Sequence, residues 1–436
     1  MKRKVLLLSL CLITGIVNSF AQNSTDKEKD KDRFVKTDKT EKKRLTLGGY
    51  GEAVMSRMFY SSNYKRYTDA SKYKDADGYG QSDLPHVVFF VGYDFGNSWT
   101  MGSEIEFEHG GTESAIEIEE EETGEYESEI ERGGEVALEQ FWLQKSFGSA
   151  LNLRMGHIIV PVGSINPHHM PNEFFTVYRP EGENTILPCT WHETGVSLWG
   201  KTKQWRYEIQ FLAGLDADRF GSQGWIKGGT GSPYEFKLAT AYAGVLRLDN
   251  YSIKNLRWAV SGYLGNSAAN SLTSSKYEGL NGTVSIGTFD FHYETQNLII
   301  RGNFDYGHLS DSEAITAANN NTRDDSPSPK TPIGSDAIAT GIEAGYNILS
   351  FFPKFQKEDK QLFAFGRYEY YDSMYKTQGS VIDNECWGRQ LVTGGLNYKP
   401  LKDLVVKANF SHRILKSQYN NEDTLSIGIA YTGFFN

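Results

Sequence analysis

From Leu45 onward, apolar and polar residues alternate with a period of two in one segment after another. In residues 204–214, aromatic and aliphatic side chains occupy every second position, with Arg, Glu and Gln between them. Residues 403–413 and 424–435 repeat the pattern. Alternation over about ten residues is typical of a membrane-spanning strand with one face on lipid and one on water, because strands of soluble sandwiches usually have about five or six residues.

The alternation predicts sixteen strands, near residues 45–58, 84–94, 98–108, 135–146, 151–160, 191–200, 204–214, 237–248, 256–265, 282–294, 297–306, 336–348, 361–372, 389–398, 403–413 and 424–435. Links after even-numbered strands are short, and links after odd-numbered strands are mostly long. This arrangement is typical of outer-membrane barrels, whose closed sheet has no exposed edge. We therefore predict an all-β fold, a transmembrane antiparallel β-barrel of about 16 strands with long extracellular loops and short periplasmic turns.

Two segments precede the predicted barrel, which spans residues 45–436. Residues 1–21 combine the basic start Lys2-Arg3-Lys4 with an apolar stretch and the A-x-A-like site Ser19-Phe20-Ala21, which is typical of a cleaved signal peptide. Residues 22–44 alternate Lys with Asp and Glu and contain almost nothing apolar, so we expect a charged, disordered periplasmic tail. With the barrel, the signal predicts localisation in the outer membrane of a Gram-negative bacterium, with its lipid as a partner.

Composition excludes two classes of function. The 436 residues include 45 Lys and Arg against 55 Asp and Glu, a formal net charge of −10. An acidic balance with dispersed basic residues argues against nucleic acid as a partner. No apolar run after residue 21 approaches the ~20 residues of a spanning helix, which argues against a helical membrane protein.

Residues 113–135 are strongly acidic, with eleven Glu and one Arg. Glu alternates with other residues on both sides of Thr123-Gly124, which predicts an extended hairpin. We expect this hairpin and the strand before it to form an acidic mouth from Glu104, Glu106, Glu108, Glu117, Glu119, Glu127, Glu129 and Glu131. A solvated acidic loop explains the segment. Divalent cations such as Ca²⁺ or Mg²⁺ are an alternative partner of the hairpin, although no twelve-residue calcium loop is present.

The link 161–190 contains five of the twelve prolines, which suits a stiff, non-strand segment. Its apolar residues predict packing against the inner wall, which would turn Glu173, Arg179, Glu181 and Glu183 towards an aqueous path. The alternative is a large surface loop packed over the barrel mouth.

Basic residues on the polar faces of upward strands form a predicted channel wall. They are Arg154, Arg206, Arg257, Arg301, Arg367 and Lys407. A charge facing lipid costs about 2–4 kcal/mol near the midplane, so we expect these side chains in the lumen. An acidic loop opposite this wall would create a transverse field across the constriction. Alternatively, the charges only solvate a wet interior and pair locally.

The segment from Ala137 to Gly214 resembles the phosphate-selective porin superfamily, including its Bacteroidetes members. The likeness rests on Gly156-His157-Ile158-Ile159-Val160-Pro161-Val162-Gly163, Tyr178-Arg179-Pro180, Pro188, and Trp191-His192-Glu193-Thr194-Gly195-Val196-Ser197-Leu198-Trp199-Gly200. It implies a homotrimeric channel whose third extracellular loop narrows the pore. Phosphate selectivity does not follow, because that selectivity is associated with ladders of Arg and Lys, and this sequence places acidic residues where such a ladder would need to dominate.

The predicted function is a passive outer-membrane porin for small hydrophilic solutes or ions, with modest cation preference at low salt. A phosphate- or anion-selective channel is the alternative, and a barrel-embedded hydrolase or a surface receptor is the second. We predict no enzyme, cofactor or metal site: His168-His169 and His192-Glu193 lack a second ligand at zincin spacing, because position 196 is Val. The sequence does not decide whether Cys189 and Cys386 form a disulfide, since two isolated cysteines specify no disulfide framework.

Overall fold

The computed structural model describes residues 44–120, 126–231, 237–271, 274–320, 331–352, 354 and 360–434, and within 110–120 and 126–135 only the backbone. The strands are β1 (Leu45–Met58), β2 (Tyr79–Asp83), β3 (His86–Gly96), β4 (Trp99–Glu120), β5 (Tyr126–Gly148), β6 (Leu151–Ile159), β7 (His192–Lys201), β8 (Trp205–Ala213), β9 (Tyr242–Ile253), β10 (Leu256–Asn266), β11 (Thr283–Glu294), β12 (Leu298–Leu309), β13 (Asp336–Asn347), β14 (Gln361–Lys376), β15 (Arg389–Leu401), β16 (Leu404–Ile414) and β17 (Glu422–Phe434). Two short helices are α1 (Glu181–Ile186) and α2 (Ser312–Asn320). The predicted signal peptide and residues 22–43 of the predicted tail lie outside the described residues.

The strands form one closed antiparallel barrel. From β3 to β17, consecutive strands pair with each other, and β1 pairs with β3 and β17 to close the sheet. β2 pairs with the upper part of β1 and β3 with its lower part, so together they fill one position around the ring. The seventeen strands therefore make a sixteen-stranded barrel, which confirms the predicted fold class.

Several predicted strand bounds differ from the structure; β4 and β5, for example, continue into the predicted hairpin, to Glu120 and from Tyr126. β9 runs from Tyr242 to Ile253 instead of over 237–248. Lys237 lies in the preceding loop, where its ammonium contacts Glu193, while Asp249 and Asn250 stay in the ladder with β8. The short strand β2 was not predicted, because its sequence Tyr-Gly-Gln-Ser-Asp has no apolar alternation.

Opposite faces of each strand have opposite chemistry. In β9, Leu246 is 54% exposed on the outside, whereas Arg247 and Asp249 point inward and are buried. Apolar side chains cover the outside in the same way on other strands, for example Met55, Phe89, Leu143, Phe211, Leu264, Phe304, Ile342, Leu396, Phe410 and Ile427. A closed barrel satisfies its backbone groups internally, so this apolar exterior can face lipid. The chain thus folds as a membrane-spanning β-barrel.

The two ends of the barrel differ as the link lengths predict. At the short-turn end, Asn97 and Ser98 connect β3 to β4, and both have positive φ, 53° and 63°. Two left-handed residues in a two-residue link are typical of a type I′ hairpin turn.

Among the described residues, neither helix is long and apolar enough to cross a membrane.

Loops from the long-loop end pack inside the barrel. Trp225, in the loop after β8, is completely buried, and its indole N–H donates to the Gly334 carbonyl at 3.0 Å. A Cβ at Gly307 of β12 would lie 2.0 Å from this ring, so glycine is needed there. Ile186 of α1 and Ile315 of α2 belong to the same apolar cluster. The upper lumen therefore holds a hydrophobic core that supports the loop described next.

Candidate functional site: a loop across the lumen

The segment 161–190, the inward loop, leaves β6 and reaches the opposite side of the ring. Its neck is closed by Asn166, whose side-chain N–H₂ donates to the carbonyls of Val160 and Trp191 at 2.6 and 2.8 Å. At its far end, the Val177 N–H donates to Asn409 Oδ1 of β16 at 2.7 Å. The inward loop therefore crosses the lumen instead of lying over the mouth.

Lys407 of β16 is the most direct anchor of the inward loop. Its ammonium donates to the carbonyls of Phe174 and Thr176 at 3.0 and 2.9 Å and lies 4.0 Å from the Phe174 ring centroid. The side chain is buried. Lys407 thus binds loop backbone, and the loop covers the charge that sequence analysis assigned to the channel wall.

An aromatic contact fixes the same part of the loop. The Phe175 ring stacks on Phe365 with centroids 5.3 Å apart and lies 5.2 Å from Phe363. A Cβ at Gly345 would stand 2.4 Å from the Phe175 ring, so this wall position must stay small. The Arg301 guanidinium also lies over the Phe175 ring, 5.0 Å from its centroid.

Helix α1 is tied to the wall through Glu181. The Arg413 guanidinium donates to both Glu181 oxygens at 2.6 and 2.8 Å, and the Tyr371 hydroxyl donates at 2.6 Å. Burial raises the pKa of Glu181, but the attraction of Arg413 outweighs it, so this pKa lies below its usual value. Glu181 is therefore a paired anchor instead of a free charge on the aqueous path.

Glu183 lies inside the loop and is 1% exposed. Its carboxyl accepts from the Ser164 hydroxyl at 2.6 Å and the Ile165 N–H at 2.7 Å. Burial raises the pKa of Glu183 to about 7. It stabilises the loop fold and does not face the aqueous path. Arg179, also predicted to face it, donates to the Tyr50 hydroxyl at 3.4 Å.

A cavity of about 810 Å³ lies between the inward loop and the short-turn end; we call it the periplasmic vestibule. Glu173 of the loop lines it, as do five of the six predicted wall cations. Its ionisable lining comprises eight Lys and Arg against five Asp and Glu: Arg154, Lys201, Arg206, Arg247, Lys254, Arg257, Arg301 and Arg367 against Glu173, Glu208, Asp249, Glu294 and Glu343. The vestibule thus carries a formal excess of basic charge.

Most of these cations have carboxylate partners. Ion pairs join Arg206 to Glu208, Arg257 to Asp290, Arg301 to Glu343 and Arg367 to Glu369, at 2.6, 2.5, 2.9 and 3.1 Å. Arg154 lies 4.3 Å from the Trp142 ring centroid and donates to Gln144 Oε1 at 3.0 Å. Local pairing therefore weakens the field of the wall, which is the alternative that sequence analysis left open.

The predicted acidic mouth is only partly at the mouth. Glu104 and Glu106 point inward on β4 and are at most 2% exposed, Glu104 bonded to Gln140 and Glu106 2.6 Å from His86 Nδ1. They lie on the inner wall of the barrel, beneath the inward loop, and not at the mouth. Glu108 is half-buried, 3.6 Å from His86.

The rest of the acidic group lies in the hairpin of β4 and β5. Its backbone register pairs residue 117 with 129 and residue 119 with 127. The side chains of Glu117, Glu119, Glu127, Glu129 and Glu131 lie outside the described part of the structure.

Two further residues, Glu139 and His169, lie beside Glu104 and were not predicted from the sequence. A bulge in β5 turns Glu139 inward together with Gln140. The signal was available: Leu138-Glu139-Gln140-Phe141 places two polar residues in a row between apolar ones. His169 of the inward loop reaches the same place, and no local pattern predicts that contact. Cys189 and Cys386 are buried free thiols, so they form no disulfide.

Comparison with known proteins establishes the fold. No family model matches the sequence, so the likeness to the phosphate-selective porin superfamily stays a prediction. A protein of Aquifex aeolicus described as uncharacterized is 27% identical over 392 residues, which cover 87% of this chain and 78% of the relative.

Solved structures of similar shape include three outer-membrane proteins. OmpF of Salmonella typhi superposes with a TM-score of 0.52 and 10% identity, over 89% of this chain and 97% of that one. OprB of Pseudomonas putida gives 0.52 and 9%, over 89% and 94%, and the outer membrane channel DcaP of Acinetobacter baumannii gives 0.50 and 10%, over 89% and 97%. The chain has the fold of the outer-membrane porins. At these identities the likeness extends to the fold alone.

Proposed function

We propose that the protein is a passive outer-membrane porin for small hydrophilic solutes or ions, narrowed by the inward loop. One observation carries the proposal: a loop crosses the lumen and is anchored at both ends above a charged vestibule. Ion pairs and hydrogen bonds hold it there, which supports a constriction of constant size. A fixed constriction lined by polar groups favours hydrated solutes over apolar ones.

A second candidate is an anion-selective channel, including the phosphate type that the sequence resemblance suggests. The excess of basic residues in the periplasmic vestibule favours it. The acidic hairpin favours cations at the opposite end, as sequence analysis predicts. Exposed charges act over only about 8–10 Å at 0.1–0.15 M salt, so the balance between the two ends depends on ionic strength.

We also propose that the protein is a homotrimer, which the sequence resemblance supports. The molecular mass of the purified protein in detergent tests this proposal.

The channel is tested by single-channel recording in planar bilayers. We expect stepwise conductance from the wild type and larger steps after deletion of residues 165–186, while the folded barrel keeps its heat-resistant mobility. Deletion of residues 71–75, which are mostly exposed in the loop between β1 and β2, is the matched control and should leave the steps unchanged. No conductance from folded wild type would reject the porin in favour of a receptor or a hydrolase, which an acyl-ester assay separates. Unchanged steps after the first deletion would show that the inward loop is not the constriction.

Selectivity is tested by reversal potentials in a salt gradient. If the hairpin dominates, the wild type prefers cations at low salt, and replacing Glu117, Glu119, Glu127, Glu129 and Glu131 with Gln removes the preference. Conductance at molar salt should not change, because salt screens these charges there. Strong anion selectivity in both proteins would favour the second candidate.

A further inference from the structure

A buried group of metal-binding side chains lies where β4, β5 and the inward loop meet. One ligand atom each from Glu104, Glu139 and His169 lie within 4.8 Å of one another. All three residues are at most 2% exposed. Carboxylates are almost never fully buried without a positive partner, so this group needs a source of positive charge.

The bulge in β5 makes Glu139 a member of the group. Glu104 pairs with Gln140 and the next pair is Ile105 with Leu138, which leaves Glu139 as the extra residue. A regular strand would alternate and turn one of two consecutive side chains to lipid, whereas here both point inward. Glu139 Oε2 has no hydrogen-bond partner in the described structure. A buried carboxylate oxygen aimed at other carboxylates is a position that a cation would satisfy.

His169 is oriented like a metal-binding histidine. Its Nδ1 lies 2.7 Å from the Asn166 carbonyl, so Nδ1 carries the proton and donates. This bond leaves Nε2 as the ring nitrogen with a lone pair, and Nε2 lies 4.0 Å from Glu104 Oε1. A backbone carbonyl that fixes the tautomer is the usual outer partner of a histidine ligand. The Asn166 contacts that close the loop neck therefore also fix this imidazole.

The protein charges around the group leave it negative. Glu52 of β1 and Glu106 of β4 add carboxylates nearby, each within 4.0 Å of His86. Arg179 of the inward loop is the nearby guanidinium, and it donates to the Tyr50 hydroxyl of β1. One guanidinium and two imidazoles, those of His86 and His169, therefore face four carboxylates, those of Glu104 and Glu139 included.

We propose that Glu104, Glu139 and His169 bind a divalent transition-metal ion, with Zn²⁺ as the best match. One imidazole and two carboxylates suit Zn²⁺ or Mn²⁺, whereas Ca²⁺ and Mg²⁺ prefer all-oxygen sites. At bond lengths of about 2.0–2.2 Å, two ligands of a tetrahedral ion lie about 3.3–3.6 Å apart, so ligand atoms that now lie within 4.8 Å of one another must approach by up to about 1–1.5 Å when the ion binds.

The ion joins the inward loop to the wall at a third place. Lys407 and Arg413 hold the loop on β16, and Asn166 closes its neck; the metal adds a link to β4 and β5. Binding therefore stiffens the loop whether or not the barrel conducts. This site also differs from the acidic hairpin, since it lies below it and uses a histidine from another segment.

The test is metal binding by the purified, folded, full-length chain after chelator treatment. We expect one Zn²⁺ per chain after incubation and gel filtration, and X-ray absorption of the bound zinc should show imidazole scattering together with oxygen ligands. Glu139→Gln and His169→Gln should each weaken Zn²⁺ binding by more than the ~10–100-fold that loss of an outer partner causes. His168→Gln is the matched control, because this neighbouring histidine lines the vestibule instead; it should bind like the wild type.

Three results would overturn the proposal. The first is no stoichiometric zinc in the folded wild type, in which case a protonated His169 supplies the positive charge. The second is zinc bound without imidazole scattering, a measurement on the wild type that stands even if the variants fail to fold. The third is loss of binding in His86→Gln with full binding in His169→Gln, which would assign the ion to the neighbouring group of His86, Glu106 and Glu108.

Discussion

Replacing Lys407 with Met should release the inward loop from the barrel wall. The methionine side chain fills the volume of the lysine stem but donates no hydrogen bond. Two buried carbonyls, those of Phe174 and Thr176, then lose the ammonium that binds them at 3.0 and 2.9 Å.

The size of the effect follows from these contacts. Hydrogen bonds to a charged group contribute about 1.5–3 kcal/mol each, and the contact with the Phe174 ring adds about 0.5–2 kcal/mol. The variant no longer has to bury an ammonium, which offsets part of this loss. We expect a net weakening of loop docking by about 2–4 kcal/mol, which is about a 30- to 900-fold increase in the undocked population.

Hydrogen exchange is the direct assay. The Val177 N–H, bonded to Asn409 Oδ1 at 2.7 Å, should exchange faster in Lys407→Met by that factor, while amides of the strands keep their rates. Single-channel records should show brief excursions to larger conductance. Lys402→Met, at an exposed position of the turn between β15 and β16, is the control of the same chemistry. Equal exchange at Val177 in wild type and Lys407→Met would refute the role of Lys407 as an anchor.

Three further outcomes are expected. Burial raises the pKa of Glu183 from 4.5 to about 7, so between these pH values the folded loop keeps a proton that the unfolded loop releases. Loop stability should therefore be greatest below pH 4.5, fall by about 3 kcal/mol between pH 4.5 and pH 7, and then level off. Hydrogen exchange of the Glu183→Gln variant should show no such fall. Trp225→Ala should weaken docking of the loop after β8 by about 3–5 kcal/mol, because a fully buried indole leaves a cavity; protease cleavage within residues 215–231 reports it, and unchanged cleavage would contradict it. Burial raises the pKa of Cys386 to about 11 and that of Cys189 as well, so both thiols should react with maleimide only after denaturation, as mass spectrometry would show; rapid labelling of the folded chain would contradict their burial.

The candidate site shows where sequence reasoning stops. Alternation alone predicted that the six basic residues of the channel wall point into the lumen, because a charged residue between apolar ones on a spanning strand has the lumen as its low-cost location. Their partners were not predicted: Asp290 of β11 forms an ion pair with Arg257 of the adjacent strand β10, and this contact depends on the register between the two strands. Lys407 has the same local sequence pattern as the arginines, yet the inward loop covers it. The path of the inward loop could not be predicted from the residues of the loop alone.

The sequence by itself determined the barrel. A period of two over long strands, with alternating short and long links, predicts about sixteen strands, their faces and the two ends of the barrel, because each of these properties depends on residues close together in the chain. Only the tertiary structure decided what lies inside. Glu139 points into the lumen because of a one-residue bulge in β5, and His169 lies beside it because the loop neck closes at Asn166. Contacts of the inward loop with β5 and β16 join residues that are tens to hundreds of positions apart in the chain. Such contacts depend on how the loop packs in the folded barrel, and local periodicity carries no information about that packing.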